Sequence, residues 1–424
     1  MNMGTLYQHR SIYDIIPPSM AIVVQKFGGT SVGSVERIKN VAARVTATKA
    51  AGNDVVVIVS AMGDATDDLI TLMEQVTDNP DPREYDMLLS TGEQVSAALL
   101  TMAIHSLGFK AVSLTGWQAG VHTEDIPSKA RITHIKLDRV QKELNDGKIV
   151  IVTGFQGIDS HGDITTIGRG GSDTSAVVIA AALKADVCEI YTDVDGVYTA
   201  DPRIVKDAKK LKYVSYDEML ELASLGAQVL HPRSVECAKN YGLVIHLRSS
   251  LSDAEGTYIK EVSEMEKKDV VSGVAIDTNI AKVGILKIPD KPGIAAKLFK
   301  TLGDEKINVD MIIQSIHSSG SMADMAFTVS KPDAKKAVEA TKRVAAELGA
   351  EGVVSDDNVA KVSIVGVGMI SKPGVAGIMF DVLGKNGINI EMISTSEIKI
   401  SCVVKADQAK KAMEVLHKEF NLGK

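Results

Sequence analysis

The C-terminal part of the chain repeats itself, and this repeat constrains the fold more than any other feature. The segment DKPGIAAKLFKTLGDEKINVDMI, residues 290–312, aligns without a gap to SKPGVAGIMFDVLGKNGINIEMI, residues 371–393. A second pair of related stretches follows, DAKKA at 333–337 and DQAKKA at 407–412. The order of apolar strands and amphipathic helices in each copy predicts a small ferredoxin-like βαββαβ module. Two copies make a pair of modules, because a stacked solenoid needs at least three repeats.

The chain before the repeat alternates strand and helix patterns. Runs rich in β-branched residues predict buried parallel strands at Ala21–Val24, Val55–Val59, Ile149–Val152 and Val187–Tyr191. Helical patterns lie between them at Ser34–Ala51, Asp86–Leu107 and Ser172–Leu183, and a capping box at Ser215–Glu218 opens a further helix. Repeated strand–helix units predict an α/β fold, with a mostly parallel sheet between two helical layers. Ligands of such sheets bind beyond the carboxyl ends of the strands.

These patterns predict the domain limits. We expect a leader at 1–20, an α/β domain at 21–250, a polar linker at 251–269, a first module at 270–352 and a second module at 353–424. The leader carries one acid, Asp14, and two prolines, and it does not resemble a secretory signal. Met20 is an alternative start for the chain.

Composition excludes several classes of function. The formal net charge is −7 and aromatic residues make up 4% of the chain, so neither a basic face nor stacking platforms for nucleic acid are expected. Apolar runs fall short of a membrane span. Cys188, Cys237 and Cys402 are far apart and lack metal-ligand spacing, which is typical of core thiols in a reducing compartment. We therefore expect a cytoplasmic protein without membrane or nucleic-acid partners.

The first candidate site is VVQKFGGTSVGS, residues 23–34, where a strand pattern ends in Lys26 and two glycines. Gly28 and Gly29 allow a close backbone approach at the start of a helical pattern, and Lys26 adds a positive charge. An anion fits this arrangement. The lysine precedes the glycines, so the segment is not a Walker P-loop. An ordinary tight strand–helix turn explains the glycines equally well.

A second glycine cluster favours the anion interpretation. TTIGRGGSDTSA, residues 165–176, has Gly168, Gly170 and Gly171 before a helical pattern. Two glycine-rich junctions in one parallel sheet can form opposite sides of a crevice that gives a polyphosphate several N–H donors. Helix capping by Ser172 and Asp173 accounts for part of this cluster.

Two further segments leave both a structural and a functional interpretation open. YTDVDGVYTADPR, residues 191–203, is an acid-rich turn after a predicted strand, and it suits either a nucleotide contact or an ordinary turn. LLSTGEQVSAALL, residues 88–100, carries Glu93 in an otherwise apolar helix. A glutamate buried there needs a partner, whereas one on a solvated face does not.

The motifs as a set resemble the aspartate kinases, which are amino-acid kinases with two C-terminal ACT domains. The resemblance covers the chain from Ala21 nearly to its end, with the motifs in the family's order. It is carried by KFGGTS at 26–31, VSAMGDATD at 59–67, STGE at 90–93, TTIGRGGSDTSA at 165–176, TDVDGVYTADPR at 192–203 and VLHPRS at 229–234. It implies an amino-acid kinase-type three-layer sandwich followed by two ACT modules.

The resemblance also implies an activity and its residues. ATP, with Mg²⁺ held by its phosphates and no protein metal ligand, would phosphorylate the side-chain carboxylate of L-aspartate. The implied ATP ligands are Lys26, Gly28, Gly29, Gly170, Gly171, Ser172, Thr192, Asp193, Tyr198 and Arg203. The implied aspartate ligands are Ser60, Thr66, Glu93, Arg169 and Asp173, and Lys26, Arg169 and Asp173 would be catalytic. Gln228 departs from the family's frequent lysine, and His231 is expected to be structural.

For the repeated modules, the resemblance implies feedback by lysine, threonine or both. The expected effector residues are Asp290, Ile294, Ala295, Asn308 and Gln314 in the first copy, facing Asn389, Ile390 and Glu397 of the second. Modules that only dimerise the chain are the alternative. A homo-oligomer through these modules is expected, and Met265 is a candidate start for a separate small subunit.

Two rival functions remain open. The first is a kinase of the same fold that acts on glutamate, acetylglutamate or carbamate, although Arg169 and Glu93 favour aspartate. The second is a catalytically inactive amino-acid sensor. The presence of Lys26, Arg169 and Asp173 speaks against a sensor.

Overall fold

The computed structural model describes residues 21–225, 229–262, 269–315 and 322–423. The chain forms two compact units. The first contains Met1–Val197, Lys212–Tyr216 and Val229–Glu261, and the second contains Tyr198–Leu211, Asp217–Gln228 and Val262–Lys424. The leader 1–20, Gln228 and Met265 lie outside the described residues, together with the expectations attached to them.

The elements up to residue 259 follow the predicted alternation. The strands are β1 Ile22–Phe27, β2 Asp54–Val59, β3 Ala111–Leu114, β4 Val121–Thr123, β5 Ile132–Ile135, β6 Ile149–Thr153, β7 Gln156–Ile158, β8 Ile164–Thr166, β9 Val187–Thr192, β10 Tyr213–Val214, β11 Ile245–Ser249 and β12 Thr257–Ile259. The helices are α1 Val35–Ala50, α2 Ala65–Val76, α3 Pro82–Leu89, α4 Thr91–Ser106, α5 Asp138–Asn145, α6 Gly171–Leu183, α7 Tyr216–Ser224 and α8 Pro232–Tyr241.

The first unit is built on a mostly parallel sheet, which confirms the predicted fold class. Within the described residues its strand order is β10-β12-β11-β9-β1-β2-β6-β3, and β1 pairs in parallel with both β2 and β9. The pairing of β11 with β12 is antiparallel. A smaller sheet has the order β5-β4-β7-β8. Because β1 lies at the centre of the large sheet, its carboxyl end opens between two parallel neighbours.

Helices cover both faces of the large sheet. Alternate residues of β2 point to opposite faces, and Val55, Val57 and Val59 join one core cluster with Ile38 of α1 and Leu100 of α4. Helix α6 packs against β1, β2 and β9. Every residue from the second to the last of β2 is buried, as expected for a strand covered on both faces.

Two sequence expectations need correction in this unit. The predicted helix 86–107 begins earlier, at Pro82, because Asp81 caps the first turn by accepting hydrogen bonds from the N–H groups of Arg83 and Glu84. It is also divided at Ser90 into α3 and α4. The expected linker 251–269 contains β12, whose short run with Tyr258 and Ile259 was obscured by the polar residues around it.

The helical stretch Pro82–Ser106 is long and apolar enough to cross a membrane by length and composition alone. Half of its most apolar window is buried within the protein, as is common for core helices, so it is weak evidence for a membrane span.

The second unit holds the two repeated modules. Its remaining strands are β13 Gly273–Asp277, β14 Ile280–Pro289, β15 Val309–Gln314, β16 Met322–Ser330, β17 Gly352–Asp356, β18 Val359–Val365, β19 Met392–Thr395 and β20 Lys399–Lys405. Its remaining helices are α9 Ile294–Asp304, α10 Ala334–Leu348, α11 Val375–Lys385 and α12 Ala409–Glu419. The turn glycines Gly293 and Gly374 match, with φ of +93° and +94°.

The modules exchange strands. One sheet has the order β15-β16-β14-β17 and the other has β13-β18-β20-β19. Strand β13 precedes the first repeat in the chain but pairs with β18 of the second, whereas β17 precedes the second repeat and pairs with β14 of the first. The expected module limits, 270–352 and 353–424, therefore do not coincide with the sheets. Both sheets keep the strand arrangement of a ferredoxin-like module, with β17 in the place of the fourth strand in one sheet and β13 in that place in the other.

Matching ion pairs join the two modules. Lys282 of the first repeat pairs with Glu391 of the second, and Lys361 of the second repeat lies 2.5 Å from Asp310 of the first. Lys282 and Lys361 occupy equivalent positions in the two repeats, since each is the middle residue of an AKV triplet, at 281–283 and at 360–362. The reciprocal pairs and the exchanged strands indicate a local two-fold relation between the repeats.

The segment after residue 197 is anchored within the second unit. Thr199 is buried, its carbonyl accepts a hydrogen bond from Val274 N, and its hydroxyl lies 2.9 Å from His417 Nε2. The segment Tyr198–Leu211, which comes shortly after β9 in the chain, therefore belongs structurally to the unit that contains the repeats.

Candidate active site

The first glycine junction lies at the carboxyl end of β1. Gly28 N donates a hydrogen bond to Tyr191 O at the end of β9. A Cβ at Gly29 would lie 3.0 Å from Ala61 O and 3.1 Å from Gly63 O, so only glycine fits without movement of the backbone. The Lys26 ammonium nitrogen lies 3.3 Å from the position of a Cβ at Gly28. The lysine therefore extends over the bare glycine turn.

The second junction joins β8 to α6. Gly168 and Gly170 have φ of +79° and +75°, a region that other residues seldom adopt. A Cβ on Gly170 would lie 2.3 Å from His231 Cγ, and one on Gly171 would lie 2.9 Å from Phe155 Cδ2. The loop is thus packed from both sides, and its N–H groups lead into the first turn of α6.

A salt bridge brings the two junctions together. Lys26 Nζ lies 2.6 Å from Asp173 Oδ1, and their side chains are 12% and 14% exposed. Asp173 stands in the first turn of α6, beside Ser172. The structure therefore places the end of β1 and the start of α6 at one site, where positive charge and helix N–H groups are available to an anion.

Glu93 is buried near the end of β2. One of its oxygens accepts a hydrogen bond from Ala61 N at 3.3 Å. The other, Oε2, has no hydrogen-bond partner among the residues that the structure describes. Burial raises the pKa of Glu93 to about 7, against the smaller lowering effect of the backbone hydrogen bonds. A cationic group arriving at Oε2 would supply the missing partner and favour the ionised form.

Arg169 offers a cation in the same loop as the second glycine junction. Its side chain is exposed, and it has no acidic partner at ion-pair distance within the described parts of the chain. It lies near His231, whose pKa is lowered by burial, then by Arg233, with a further contribution from Arg169. An arginine without a carboxylate partner is well suited to a carboxylate ligand.

The other predicted aspartate ligands lie between the end of β2 and the first turn of α2. Ser60 follows β2, and its N–H donates to Phe27 O at 3.1 Å. Thr66 lies in the first turn of α2. Both residues are partly exposed.

The predicted nucleotide residues divide between the two units. Thr192 and Asp193 lie at the end of β9, where the Thr192 hydroxyl donates to Asp193 Oδ1 at 3.0 Å. Tyr198 and Arg203 belong to the second unit, and the Arg203 side chain pairs with Asp201 at 2.7 Å. A nucleotide contact by these two residues stays a prediction.

A buried charged cluster supports the site from within the sheet. Burial acts to raise the pKa of Glu189, but His246, whose Nδ1 lies 3.7 Å from its Oε1, a hydrogen bond from Gln25 Nε2 and the charge of Arg248 lower it to about 2. Tyr191 donates to Glu189 at 3.0 Å and stacks on Phe27, with the ring centroids 4.6 Å apart. Phe27 lies between Lys26 and Gly28, so this cluster fixes the strand end that carries them.

Sequence reasoning assigned His231 a structural role but did not identify its contact. Its Nδ1 caps α8 by accepting a hydrogen bond from Arg233 N, and its ring packs on Gly170. Arg233 also donates to Ile167 O at 3.1 Å. The signal was present in HPR, since proline at the first helical position marks a helix start.

Four of the predicted effector residues line one cavity in the second unit. Asp290, Ile294, Ala295 and Gln314 surround a volume of about 370 Å³, and Gln314 Nε2 donates to Asp290 Oδ1 at 3.2 Å. Asn308 lies at the opposite end of β15, where it lines a separate cavity of about 450 Å³ with Asp310 and Lys361. The structure does not bring Asn308 to the first cavity.

The remaining predicted effector residues lie in the second repeat. Asn389 and Glu397 are exposed and Ile390 is partly exposed. Asn389 and Ile390 come just before β19, and Glu397 follows it.

Comparison with known families agrees with this geometry. Residues 21–249 match the amino acid kinase family, and residues 284–344 and 362–420 match an ACT domain. The aspartokinase of Bacillus sp. (strain MGA3) is 54% identical over 403 residues, covering 95% of this chain and 98% of that protein. The aspartokinase of Geobacillus stearothermophilus is 52% identical over 403 residues, with coverage of 95% and 98%.

Solved structures agree as well. E. coli aspartokinase III in complex with aspartate and ADP has a TM-score of 0.76 and 25% identity, over 94% of this chain and 99% of that one. The same enzyme in complex with lysine and aspartate has a TM-score of 0.75 and 25% identity, with the same coverage. The chain therefore belongs to the amino acid kinase family, as an aspartokinase with two ACT domains.

Proposed function

We propose that this enzyme transfers the γ-phosphate of ATP to the side-chain carboxylate of L-aspartate, giving 4-phospho-L-aspartate, the first step toward lysine, threonine and methionine. The observation that carries the proposal is the contact between Lys26 and Asp173, which joins two glycine-rich junctions at the end of one parallel strand. The similar E. coli enzyme was solved with aspartate and ADP.

The nucleotide side of the site consists of the two junctions. We assign the phosphates to Lys26, Gly28, Gly29, Gly170, Gly171 and Ser172, and the rest of the nucleotide to Thr192, Asp193, Tyr198 and Arg203. Because Gly28 N donates to Tyr191 O, the bare Gly28 would serve by leaving room for the phosphates beside Lys26, while Gly29 and the first turn of α6 would offer N–H groups. When ATP binds, the Lys26 ammonium would be shared between Asp173 and a phosphate.

The amino-acid side of the site consists of charged groups of both signs. We assign the α-carboxylate of aspartate to Arg169, which has no acidic partner among the described residues. The ammonium group would face Glu93 and Asp173, and Ser60 and Thr66 would complete the site. Glu93 Oε2, which is buried and has no hydrogen-bond partner in the described part of the chain, supports this assignment.

The chemistry requires positioning more than proton transfer. The attacking carboxylate of aspartate is already ionised at pH 7, so no general base is needed. Lys26 and the helix N–H groups would stabilise the charge that spreads over the phosphate oxygens during transfer. Arg169 and Glu93 would hold the acceptor carboxylate in line.

Mg²⁺ would neutralise charge on the ATP phosphates, as in other phosphoryl transfers. Among the described residues, three carboxylate or imidazole groups close enough to share an ion occur at Asp125, Asp159 and His161, and not beside Lys26. That the phosphates, and not protein ligands, would hold the ion stays a prediction.

The repeated modules would provide feedback. We assign lysine, threonine or both to the cavity at Asp290 and Gln314, with Asn308, Asn389, Ile390 and Glu397 as predicted contacts within an assembly. Inhibition requires that the effector bind the less active arrangement more tightly, and such coupling is typically worth about 1–3 kcal/mol. A cytoplasmic homo-oligomer formed through the ACT domains, with a possible small subunit from Met265, completes the proposal.

A substrate panel tests the activity. ADP release should be measured with aspartate, glutamate, acetylglutamate and carbamate as acceptors. We expect release with aspartate, and hydroxylamine should trap the acyl phosphate formed. Turnover of glutamate or carbamate in place of aspartate would favour the rival kinases, and no turnover of any acceptor would favour the sensor.

Calorimetry tests the effectors. Lysine and threonine should be titrated alone and together into the wild type and into Asp290→Ala. We expect heat with the wild type and at least about tenfold weaker binding to the variant. Asp304→Ala, on the exposed end of α9, is the control. Absence of heat under every condition would contradict feedback by these amino acids.

A further inference from the structure

Asp86 on α3 is a fully buried carboxylate outside the residues assigned above. Its exposed fraction is 0%. Oδ2 accepts hydrogen bonds from Ser128 N at 2.7 Å and Thr166 N at 2.8 Å, and Oδ1 accepts one from the Thr166 hydroxyl at 2.7 Å. A buried carboxylate is tolerated only when such bonds replace its hydration, so its place in the core needs an explanation.

Both partners of Asp86 adjoin the loop that carries Arg169. Thr166 ends β8, three residues before Arg169. Ala130 N donates to Thr166 O at 3.0 Å, and the Ser128 carbonyl lies 3.3 Å from the position of a Cβ on Gly168. Asp86 therefore fastens the base of the arginine loop and the loop beside it.

Ser128 is held in an unfavourable backbone conformation. Its φ is +67°, in the left-handed region that residues other than glycine rarely adopt. Such conformations persist where the surrounding structure fixes them, and they occur often at functional sites. The hydrogen bond from Ser128 N to a buried carboxylate provides that fixation.

The same helical stretch leads to Glu93. Asp86 lies four residues before Ser90, where α3 gives way to α4, and Glu93 is in the first turn of α4. Gln156 holds this point by donating to Ser90 O at 2.9 Å. A single carboxylate thus ties the Arg169 loop to the helical stretch that carries Glu93.

We propose that Asp86 is a positioning residue for substrate recognition, which fixes the Arg169 loop relative to Glu93 and so sets the affinity for the amino-acid substrate. The proposal rests on the roles given above to Arg169 and Glu93. Asp86 touches neither reactant. It acts through Thr166 and Ser128, and its loss should affect the amino-acid side of the site more than the nucleotide side.

The first test is Asp86→Asn. This change keeps the size and shape of the side chain but turns an amide N–H toward one of the three groups that donate hydrogen bonds to Asp86. We expect KM for aspartate to rise about tenfold or more and KM for ATP to rise by a clearly smaller factor, because the phosphates share Gly170 of this loop but are also held by Lys26 and the first junction. Hydrogen exchange should accelerate at 127–131 and 165–170. Equal changes in both KM values, or unchanged exchange in these segments, would overturn the proposal.

Rescue separates positioning from general stability. In the Asp86→Asn background, Ser128→Gly should lower KM for aspartate at least about threefold, because glycine adopts the left-handed conformation without strain. Lys184→Gly is the matched control. Lys184 also has a positive φ, +53°, but it ends α6, far along the chain from this loop. Equal recovery of KM by the control would show that Asp86 provides stability alone.

Two measurements keep the outcomes distinct. If Asp86→Asn does not fold, Thr166→Val removes only the hydroxyl contact and should raise KM for aspartate about threefold, and no change would overturn the proposal. If the wild type does not phosphorylate aspartate, the proposed function fails. In that case the rate of amide hydrogen exchange at 127–131 and 165–170, measured in the same variants, still decides whether Asp86 orders these loops.

Discussion

Lys26 Nζ lies 2.6 Å from Asp173 Oδ1, although the two residues are 147 positions apart in the chain. The contact joins the end of β1 to the start of α6, so both glycine junctions meet at one point. An ion pair that is about 12–14% exposed retains part of its solvent contact, and a phosphate can therefore compete for the lysine.

Replacing this lysine should slow the chemical step. We expect Lys26→Met to lower kcat about 10²–10³-fold, because a preorganised charge at the phosphates is lost. Binding of effectors in calorimetry should be unaffected. Lys49→Met is the matched control, since Lys49 also pairs with an aspartate, Asp54 at 2.8 Å, away from the junctions. Unaltered turnover in Lys26→Met would contradict its assigned role.

Ionised Glu93 should lower the free energy of unfolding of the protein, although it supports the binding of aspartate. Burial raises its pKa from 4.5 to about 7, so the folded protein holds a proton that the unfolded chain releases between these values. Stability is therefore expected to fall as pH rises from 4.5 to 7 and to level off above 7.

Glu93→Gln should remove this pH dependence. At pH 8 we expect the free energy of unfolding to increase by up to about 3 kcal/mol, while the affinity for aspartate falls at least tenfold. Near pH 4.5 the two proteins should be equally stable. Urea unfolding at both pH values checks this, with the exposed Glu74→Gln as control. Equal stability at pH 8 would show that Glu93 carries no burial penalty.

Gly170 should tolerate no side chain. A Cβ there would lie 2.3 Å from His231 Cγ, at a φ of +75°. We expect Gly170→Ala to destabilise the protein by about 2–4 kcal/mol and to impair ATP binding, through backbone strain and a forced displacement of His231.

Gly147→Ala provides a close comparison for this prediction. Gly147 has the same φ of +75°, and a Cβ there would meet nothing within 4 Å. Its replacement should cost only the backbone strain, about 1 kcal/mol. Thermal unfolding of both variants measures the difference. Equal losses would mean that the His231 contact is easily relieved.

The reciprocal ion pairs of the repeats should differ in strength. Lys361 is 6% exposed, so Asp310→Asn would leave a buried ammonium with Asp277 at 3.8 Å as its remaining partner, and we expect a loss of about 2 kcal/mol. Lys282 is 25% exposed, and Lys405, the second partner of Glu391 at 3.0 Å, is 45% exposed and also pairs with Asp356. Glu391→Gln should therefore cost about 1 kcal/mol or less, because water reaches both ammonium groups. Urea unfolding compares them. A larger loss for Glu391→Gln would contradict the dependence on burial.

Much of the fold could be predicted from local patterns. The β-branched runs predicted β2, β6 and β9 to within one residue, because strands buried on both faces leave little room for polar residues. Strand β1 extends three residues beyond the predicted end at Val24, through Lys26 to Phe27. The glycine clusters identified both junctions, since close backbone approach and positive φ select glycine wherever they occur. The repeat predicted two like modules because equal sequences form equal local elements.

The sequence by itself thus determined the elements, the repeated modules and the residue types at the junctions, all of which depend on short stretches of chain. Tertiary structure alone decided which stretches pair. It exchanged β13 and β17 between the modules, left Glu93 Oε2 without a hydrogen-bond partner among the described residues, and buried Asp86 against Thr166 and Ser128. These outcomes depend on contacts between residues far apart in the chain, and no local periodicity encodes which of several compatible partners packs best.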